Sequence, residues 1–270
     1  MKLPVTYLFV PGNRPERFDK ALASGADAVI LDLEDAVSPD DKDRARANVR
    51  QWIDAHRESA DRVVVRINDR TSRWFDGDLA LLRQGGLRLA MLPKAEAAEE
   101  IGLLRAALPP DGAVLPLIET ARGVENLNAV ATAQGVLRLT FGTLDYAVDL
   151  DLSGDERGLA YPAARIALAS RCAGLPAPIA GVTPDVDDEP RLLADVAFAR
   201  AFGFGAKLCI HPRQVAVIHK ALLPTAAEID WAKRVIEAAE GAAGAVKVDG
   251  RMADRPVLLK ARAILDRDPT

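Results

Sequence analysis

Short apolar runs alternate along the chain with longer stretches in which apolar residues recur at helical spacing. The runs are Val5–Val10, Ala28–Leu33, Val63–Ile67, Leu87–Leu92, Val114–Ile118, Val136–Phe141, Pro178–Val182 and Lys207–Ile210. Each precedes a predicted helix. These helices are Pro15–Ser24, a second from Ser38-Pro39-Asp40-Asp41 to Ala55, then Asp76–Arg83, Ala95–Ala107, Val124–Ala133, Tyr161–Cys172, Glu189–Phe202 and Arg213–Leu222. Near-continuous apolar strands separated by helices predict a parallel sheet covered on both faces. Eight such units predict an α/β fold, a closed (β/α)8 TIM barrel, with an open doubly wound sheet as the competing arrangement.

The rhythm changes after residue 222, which divides the chain into a barrel over 1–222 and a C-terminal helical extension over 223–270. Thr225 caps a predicted helix over Ala226–Gly241, and Gly241-Ala242-Ala243-Gly244 reads as a small-residue hinge. Val246–Val248 is a short extended piece, Asp249-Gly250 a turn signal, and Pro256–Leu265 a last amphipathic helix. A complete barrel does not need this appendage. It reads as a lid, a subunit clasp or a packing helix.

Composition narrows the class. The 270 residues are 49% hydrophobic and 27% charged, an ordinary balance for a globular chain. Lys and Arg total 35 against 39 for Asp and Glu, a net charge of −4, so there is no overall basic field for nucleic acid. No apolar run has the length of a membrane span. The N-terminal segment lacks the small-residue exit of a cleavable signal peptide, so a cytoplasmic location is expected. Cys172 and Cys209 form neither a redox pair nor a zinc ribbon, and both are expected in the core.

Barrel active sites lie at the C-terminal ends of the strands. The polar residues just beyond the runs are Asn13-Arg14, Asp32 with Glu34-Asp35, Arg66 with Asn68-Asp69, Lys94 with Glu96, Glu119-Thr120, Asp145, Thr183 and His211. Glu119 and Asp145 come after adjacent strands, an arrangement suited to Mg²⁺, which keeps several waters and needs few protein ligands. The competing reading makes each a helix cap or an arginine partner. Arg66 offers a planar fork to a substrate carboxylate, or else pairs with Glu34 or Asp35. Arg14, Arg17 and Lys20 form a local basic cluster fit for phosphates or simply a solvated helix face. With three histidines and no H-E-x-x-H, G-x-S-x-G, P-loop or G-x-G-x-x-G motif, a His-based zinc enzyme, a serine hydrolase and an ATP or NAD enzyme all lose support.

Ordered motifs then converge on one group. Leu8-Phe9-Val10-Pro11-Gly12-Asn13-Arg14-Pro15-Glu16-Arg17 and Leu31-Asp32-Leu33-Glu34-Asp35-Ala36-Val37 are followed by Val65-Arg66-Ile67-Asn68 and Leu92-Pro93-Lys94. Next come Pro116-Leu117-Ile118-Glu119-Thr120-Ala121, Phe141-Gly142 with Asp145, and Cys209-Ile210-His211-Pro212. Together they resemble the citrate lyase β-subunit family, which groups with malyl-CoA and citramalyl-CoA lyases in the HpcH/HpaI aldolase superfamily. The resemblance implies a Mg²⁺-dependent carbon–carbon lyase, with Mn²⁺ as an alternative ion. Its substrate would be a 3-hydroxyacyl-CoA, split into acetyl-CoA and a 2-oxo acid.

Carried over residue by residue, the resemblance makes Glu119 and Asp145 metal ligands and Arg66 the binder of the oxo-acid carboxylate. Gly142 would lie against the oxo acid, while Glu34 and Asp35 are expected beside the substrate, where one or the other organises metal-bound water. Arg14 and Lys20 fall in the segment that binds coenzyme A. Asp254, in a segment similar to a family lid, would be the acid/base at a neighbouring subunit's site in a homo-oligomer, a trimer. Ala253 stands where that lid usually has Ile, and Ala206 where a Gly often precedes the lysine. Competing readings are a citrate lyase β component acting on an acyl-carrier-protein thioester, a metal-dependent 2-oxo acid aldolase needing no CoA, and a non-catalytic binding protein.

Overall fold

The computed structural model describes residues 3–154, 156–240 and 245–267. The strands are β1 (Thr6–Pro11), β2 (Ala28–Asp32), β3 (Val63–Arg66), β4 (Leu89–Leu92), β5 (Ala113–Ile118), β6 (Thr140–Phe141), β7 (Ile179–Ala180) and β8 (Ala206–Cys209). They close in chain order into a barrel, β8 pairing with β1, and every pairing is parallel. The (β/α)8 barrel is therefore the fold, and the open sheet is excluded. Around it run α1 (Phe18–Leu22), α2 (Lys42–Ala55), α3 (Phe75–Arg83), α4 (Ala98–Ala107), α5 (Ala121–Glu125), α6 (Leu127–Thr132), α7 (Thr143–Asp149), α8 (Arg157–Cys172), α9 (Glu189–Ala201) and α10 (Arg213–Leu222).

Alternation along the strands decides what fills the barrel. Tyr7, Ala28, Ile30, Val64, Met91, Leu115, Leu117, Ile179, Ala206 and Leu208 form one buried cluster. Successive strand side chains point to opposite faces, so Val29 and Leu31 face the helical layer and are equally buried. Both faces of the sheet are dry, which is why the runs read as continuous apolar segments.

The elements differ from expectation at four places. β7 keeps only Ile179–Ala180 of the predicted run, and Pro178 has no N–H to offer a ladder. β6 shrinks to Thr140–Phe141, its predicted start reduced to a single bridge between Val114 and Val136. The predicted helix over 124–133 is broken at Asn126 into α5 and α6. Helix α7 was not predicted at all. Cys209 is buried as expected, but Cys172 is exposed, because it ends α8 on a solvent-facing side.

The contacts divide the chain into two compact units, Met1–Ile218 and His219–Thr270. The second contains α11 (Ala226–Ala239), an antiparallel pair β9 (Val246–Val248) and β10 (Arg251–Ala253), and α12 (Arg255–Leu265). Its own small core joins Ala232, Val235, Val248, Ala253, Ala261 and Ile264. Thr225 and Glu228 form a reciprocal capping box at α11, each side chain accepting the other's backbone N–H at 3.2 and 2.7 Å. The Gly241–Gly244 hinge lies outside the described residues. None of the described helices is long and apolar enough to cross a membrane.

Because Leu115 is fully buried inside the barrel, Leu115→Ala is expected to lose about 2–5 kcal/mol in urea unfolding. Leu168, 60% exposed on α8, should tolerate alanine within about 0.5 kcal/mol. Equal losses in the two variants would contradict this placement of the core.

Candidate active site

The inward parity that fills the barrel with apolar groups continues one step further at its C-terminal end. After Ala28 and Ile30 comes Asp32, after Val64 comes Arg66, and after Leu115 and Leu117 comes Glu119. Asp32 and Arg66 are also register partners across β2 and β3. Their side chains meet as a bidentate pair, Arg66 Nε donating to Asp32 Oδ1 at 2.7 Å and Nη2 to Oδ2 at 2.8 Å. The ring of Phe9 lies 4.7 Å from the guanidinium carbon. Burial opposes the charge on Arg66, but Asp32, Glu34 and Asp35 outweigh it and raise its pKa.

Asp32 also shapes the loop that carries Glu34. Its oxygens accept the backbone N–H of Glu34 at 2.9 Å and of Ala36 at 3.1 Å. From α2, the buried Lys42 ammonium donates to the carbonyls of Leu33 and Glu34 and to Asn68 Oδ1, all within 2.8 Å. Glu34 is 4% exposed. Its Oε1 accepts from Lys94 Nζ at 3.0 Å. Its Oε2 lies 2.7 Å from Arg66 Nη1, but off the N–H direction, and has no hydrogen-bond partner.

Lys94 ties this loop to Glu119. It lies just after β4 with φ of 46°, a left-handed conformation uncommon for residues with a Cβ. In that conformation its backbone N–H donates to Glu119 Oε1 at 2.8 Å. Glu119 is 2% exposed. Burial first, then the charges of Glu34 and Asp145, push its carboxyl up to about 8. Burial likewise pushes Glu34 up to about 7.

Gly142 makes room for this carboxylate. A Cβ there would sit 2.6 Å from the Cβ of Glu119 and still closer to its Oε2. The residue starts α7, which presents Asp145 in its first turn.

Glu34 and Asp145 thus both repel Glu119, one oxygen of Glu34 is buried without a hydrogen bond, and a glycine leaves room for the Glu119 carboxylate. Such an all-oxygen set fits a hard divalent cation that retains waters. Among the described residues no group of three His, Cys, Asp or Glu side chains has metal-holding spacing, which is consistent with two protein ligands rather than a cage.

The structure brings Arg66, Glu34, Glu119, Gly142 and Asp145 together, with Asp35 at the edge, 3.7 Å from Arg66 Nη1. Asp32 occupies the side fork of Arg66, so an incoming anion meets only the remaining N–H groups of Nη1 and Nη2. Arg14 is exposed and paired with Glu16 at 2.7 Å, and Lys20 is exposed on α1. Asp254 belongs to the second unit, where it stands at the N-cap of α12 without a side-chain capping bond.

Lys42 escaped the sequence reading. The signal was present, since Lys42 continues the buried stripe Ala45, Val49, Trp52 and Ile53 on α2.

Comparison with known proteins now adds to this geometry. The HpcH/HpaI aldolase/citrate lyase family matches residues 6–212. The chain belongs to this family. A citrate lyase subunit beta-like protein of Deinococcus radiodurans is 36% identical, over 97% of this chain and 96% of that one. The citrate lyase subunit beta of Escherichia coli is 32% identical, over 96% and 91%. Among solved structures, CitE of Mycobacterium tuberculosis in complex with magnesium, acetoacetate and coenzyme A superposes with a TM-score of 0.87. It is 34% identical, and the match covers 99% of this chain and 98% of that one.

The raised carboxyls of this family member make its stability pH-dependent when no cation is bound. With Glu119 up to about 8 and Glu34 up to about 7, the folded chain holds protons that the unfolded chain releases above about 4.5. Stability then falls as pH rises from about 4.5 to about 8. In EDTA-treated buffer at pH 8, Glu119→Gln should melt no lower than the wild type, with a flatter Tm-versus-pH curve. A steeper curve in the variant would remove Glu119 as the source.

Proposed function

We propose that this lyase-family chain cleaves, or in reverse forms, a 3-hydroxyacyl-CoA of the malyl, citramalyl or citryl type, giving acetyl-CoA and a 2-oxo acid. The observation that carries this reading is the repelling set of Glu34, Glu119 and Asp145 beside the Arg66 guanidinium. It offers a cation and a carboxylate subsite within one barrel mouth. Glu119 and Asp145 would hold Mg²⁺, with Mn²⁺ as a substitute. When bound, the ion supplies Lewis-acid stabilisation of charge developing on substrate oxygens.

The chain's own groups do the rest. The remaining N–H groups of Arg66 bind the carboxylate next to the carbon that becomes a ketone, and orient the bond to be broken. Gly142 lets the oxo acid approach the backbone as closely as it lets Glu119 approach. Glu34 and Asp35 flank the substrate and order water. Arg14 and Lys20 bind the phosphates of the CoA moiety, Arg14 exchanging Glu16 for a phosphate oxygen. Asp254 donates a proton to the enolate carbon of acetyl-CoA in cleavage, as the substrate hydroxyl releases its own proton to water and becomes the ketone, and the two transfers reverse in condensation. We assign Asp254 to the site of a neighbouring subunit in a homotrimer. Its carboxylate makes no capping bond at α12, which supports a role other than capping.

The 32% likeness to the E. coli citrate lyase subunit beta over 96% of the chain supports a second reading, a β component working on an acyl-carrier-protein thioester. Mass spectrometry of products from malyl-, citramalyl- and citryl-CoA with Mg²⁺ separates the two. Cleavage of a free CoA thioester supports the first reading, and cleavage of the carrier-bound thioester alone supports the second. Release of a 2-oxo acid only from substrates without a thioester would make the chain an aldolase and overturn both.

Glu119→Gln and Asp145→Asn are expected to abolish turnover without loss of thermal stability. Full activity of either in EDTA-treated buffer would refute the metal assignment. Removing a positioned acid/base costs about 10²–10⁴ in rate, so Asp254→Asn should fall within that range. Mixing Asp254→Asn subunits with Glu119→Gln subunits under verified exchange should restore part of the activity, because a mixed interface pairs an intact metal site with an intact acid. No recovery would show that Asp254 does not act across subunits.

A further inference from the structure

We infer that Lys94 sets how many carboxylates the metal ion receives: its ammonium holds Glu34 out of the ligand set and leaves the ion to Glu119 and Asp145. This inference rests on the metal-site reading above. One residue touches both acids, its N–H at 2.8 Å from Glu119 Oε1 and its Nζ at 3.0 Å from Glu34 Oε1. Glu119 is thereby left with Oε2 for an ion, the oxygen that sits where a Cβ on residue 142 would otherwise stand.

Glu34 has every reason to join. It is buried, its Oε2, 2.7 Å from Arg66 Nη1, accepts no hydrogen bond, and its Oε1 shares Lys94 with Glu119. An unsatisfied carboxylate oxygen beside a divalent cation is strongly attracted to it. The backbone of Glu34 is fixed by Asp32 at its N–H and by Lys42 at its carbonyl, so only its side chain is free to choose a partner. Two cations compete with the metal for that side chain. Arg66 uses Nε and Nη2 on Asp32, which fixes it in place, and keeps Nη1 2.7 Å from Glu34 Oε2 as an ion pair. Lys94 donates its ammonium to Glu34 and sits 38% exposed at the rim. Lys94 is therefore the group that decides.

Magnesium takes six ligands in near-octahedral geometry. Every position that a third carboxylate takes is lost to water and substrate oxygens. Removing the ammonium also removes a positive charge next to the ion. Both effects tighten metal binding, and the first slows turnover. A residue that merely supported the fold would loosen binding when replaced.

The test titrates Mn²⁺ into the metal-free full-length protein and follows free Mn²⁺ by its EPR signal, in the wild type, Lys94→Met and Lys94→Gly. Lys94→Gly keeps the N–H to Glu119 and suits the left-handed backbone, so it guards against misfolding. Both variants are expected to bind Mn²⁺ at least about fivefold tighter, with turnover lower by at least about tenfold. Adding Glu34→Gln to Lys94→Met should return the affinity to about the wild-type value. Equal or weaker binding in either variant overturns the inference, as does tight binding that survives Glu34→Gln. A wild type that binds no Mn²⁺ overturns the metal-site reading itself, and this inference with it.

Discussion

The buried pair between Asp32 and Arg66 is the interaction on which the rest of the site depends. It lies where the dry interior of the barrel ends, so neither partner can be solvated in place of the other. Removing one member of such a pair leaves an uncompensated buried charge and commonly costs about 3–5 kcal/mol. Geometry matters here as much as energy. Asp32 orients the guanidinium through a two-point contact and, with the same oxygens, fixes the turn that brings Glu34 under it. The acid loop after β2 and the base at the end of β3 are thereby built as one object.

Around that object the charges are arranged in alternation. Arg66 and Lys94 are each flanked by carboxylates, and Lys42 neutralises carbonyl dipoles from beneath. The balance is incomplete toward Glu119 and Asp145, where anions outnumber cations. A protein interior does not keep such an excess without a counter-charge, and burial together with the neighbouring Glu34 and Asp145 raises the Glu119 carboxyl, so that a proton can stand in for a cation.

Much of this was legible in the chain. Eight near-continuous apolar runs, each followed by a helix-length amphipathic stretch, carried the barrel, and the residues just past each run carried the rim, Glu119 and Arg66 among them. What stayed hidden depends on quantities that local pattern does not encode. The two-point partner of Arg66 is decided by the shear between β2 and β3, which brings Asp32 level with it, while the ion pairs expected with Glu34 and Asp35 form as well, at 2.7 and 3.7 Å. Helix α7 escaped because its Leu144 and Val148 are exposed rather than buried, which erases the amphipathic signal in seven residues. Lys42 escaped because lysine is read as a solvent residue, although its helical phase put it on the buried stripe. For Asp254, sequence supplied a position in the last unit and no geometry.

The approach of Gly142 to Glu119 also has a consequence for how such a chain can drift. Every single-base change that replaces a glycine codon with a sense codon for another residue adds a Cβ, and at this position any Cβ meets the Glu119 side chain. Neither the smallest replacement nor the most conservative one escapes, because the obstacle is the first side-chain carbon, whatever atoms lie beyond it. Position 142 can therefore change only once the backbone there has moved, because the Cβ of residue 119 blocks it whatever side chain that position carries. The glycine therefore outlasts the chemistry it serves: a lineage that replaces Glu119 with any residue bearing a Cβ is still confined to glycine opposite it until the backbone shifts.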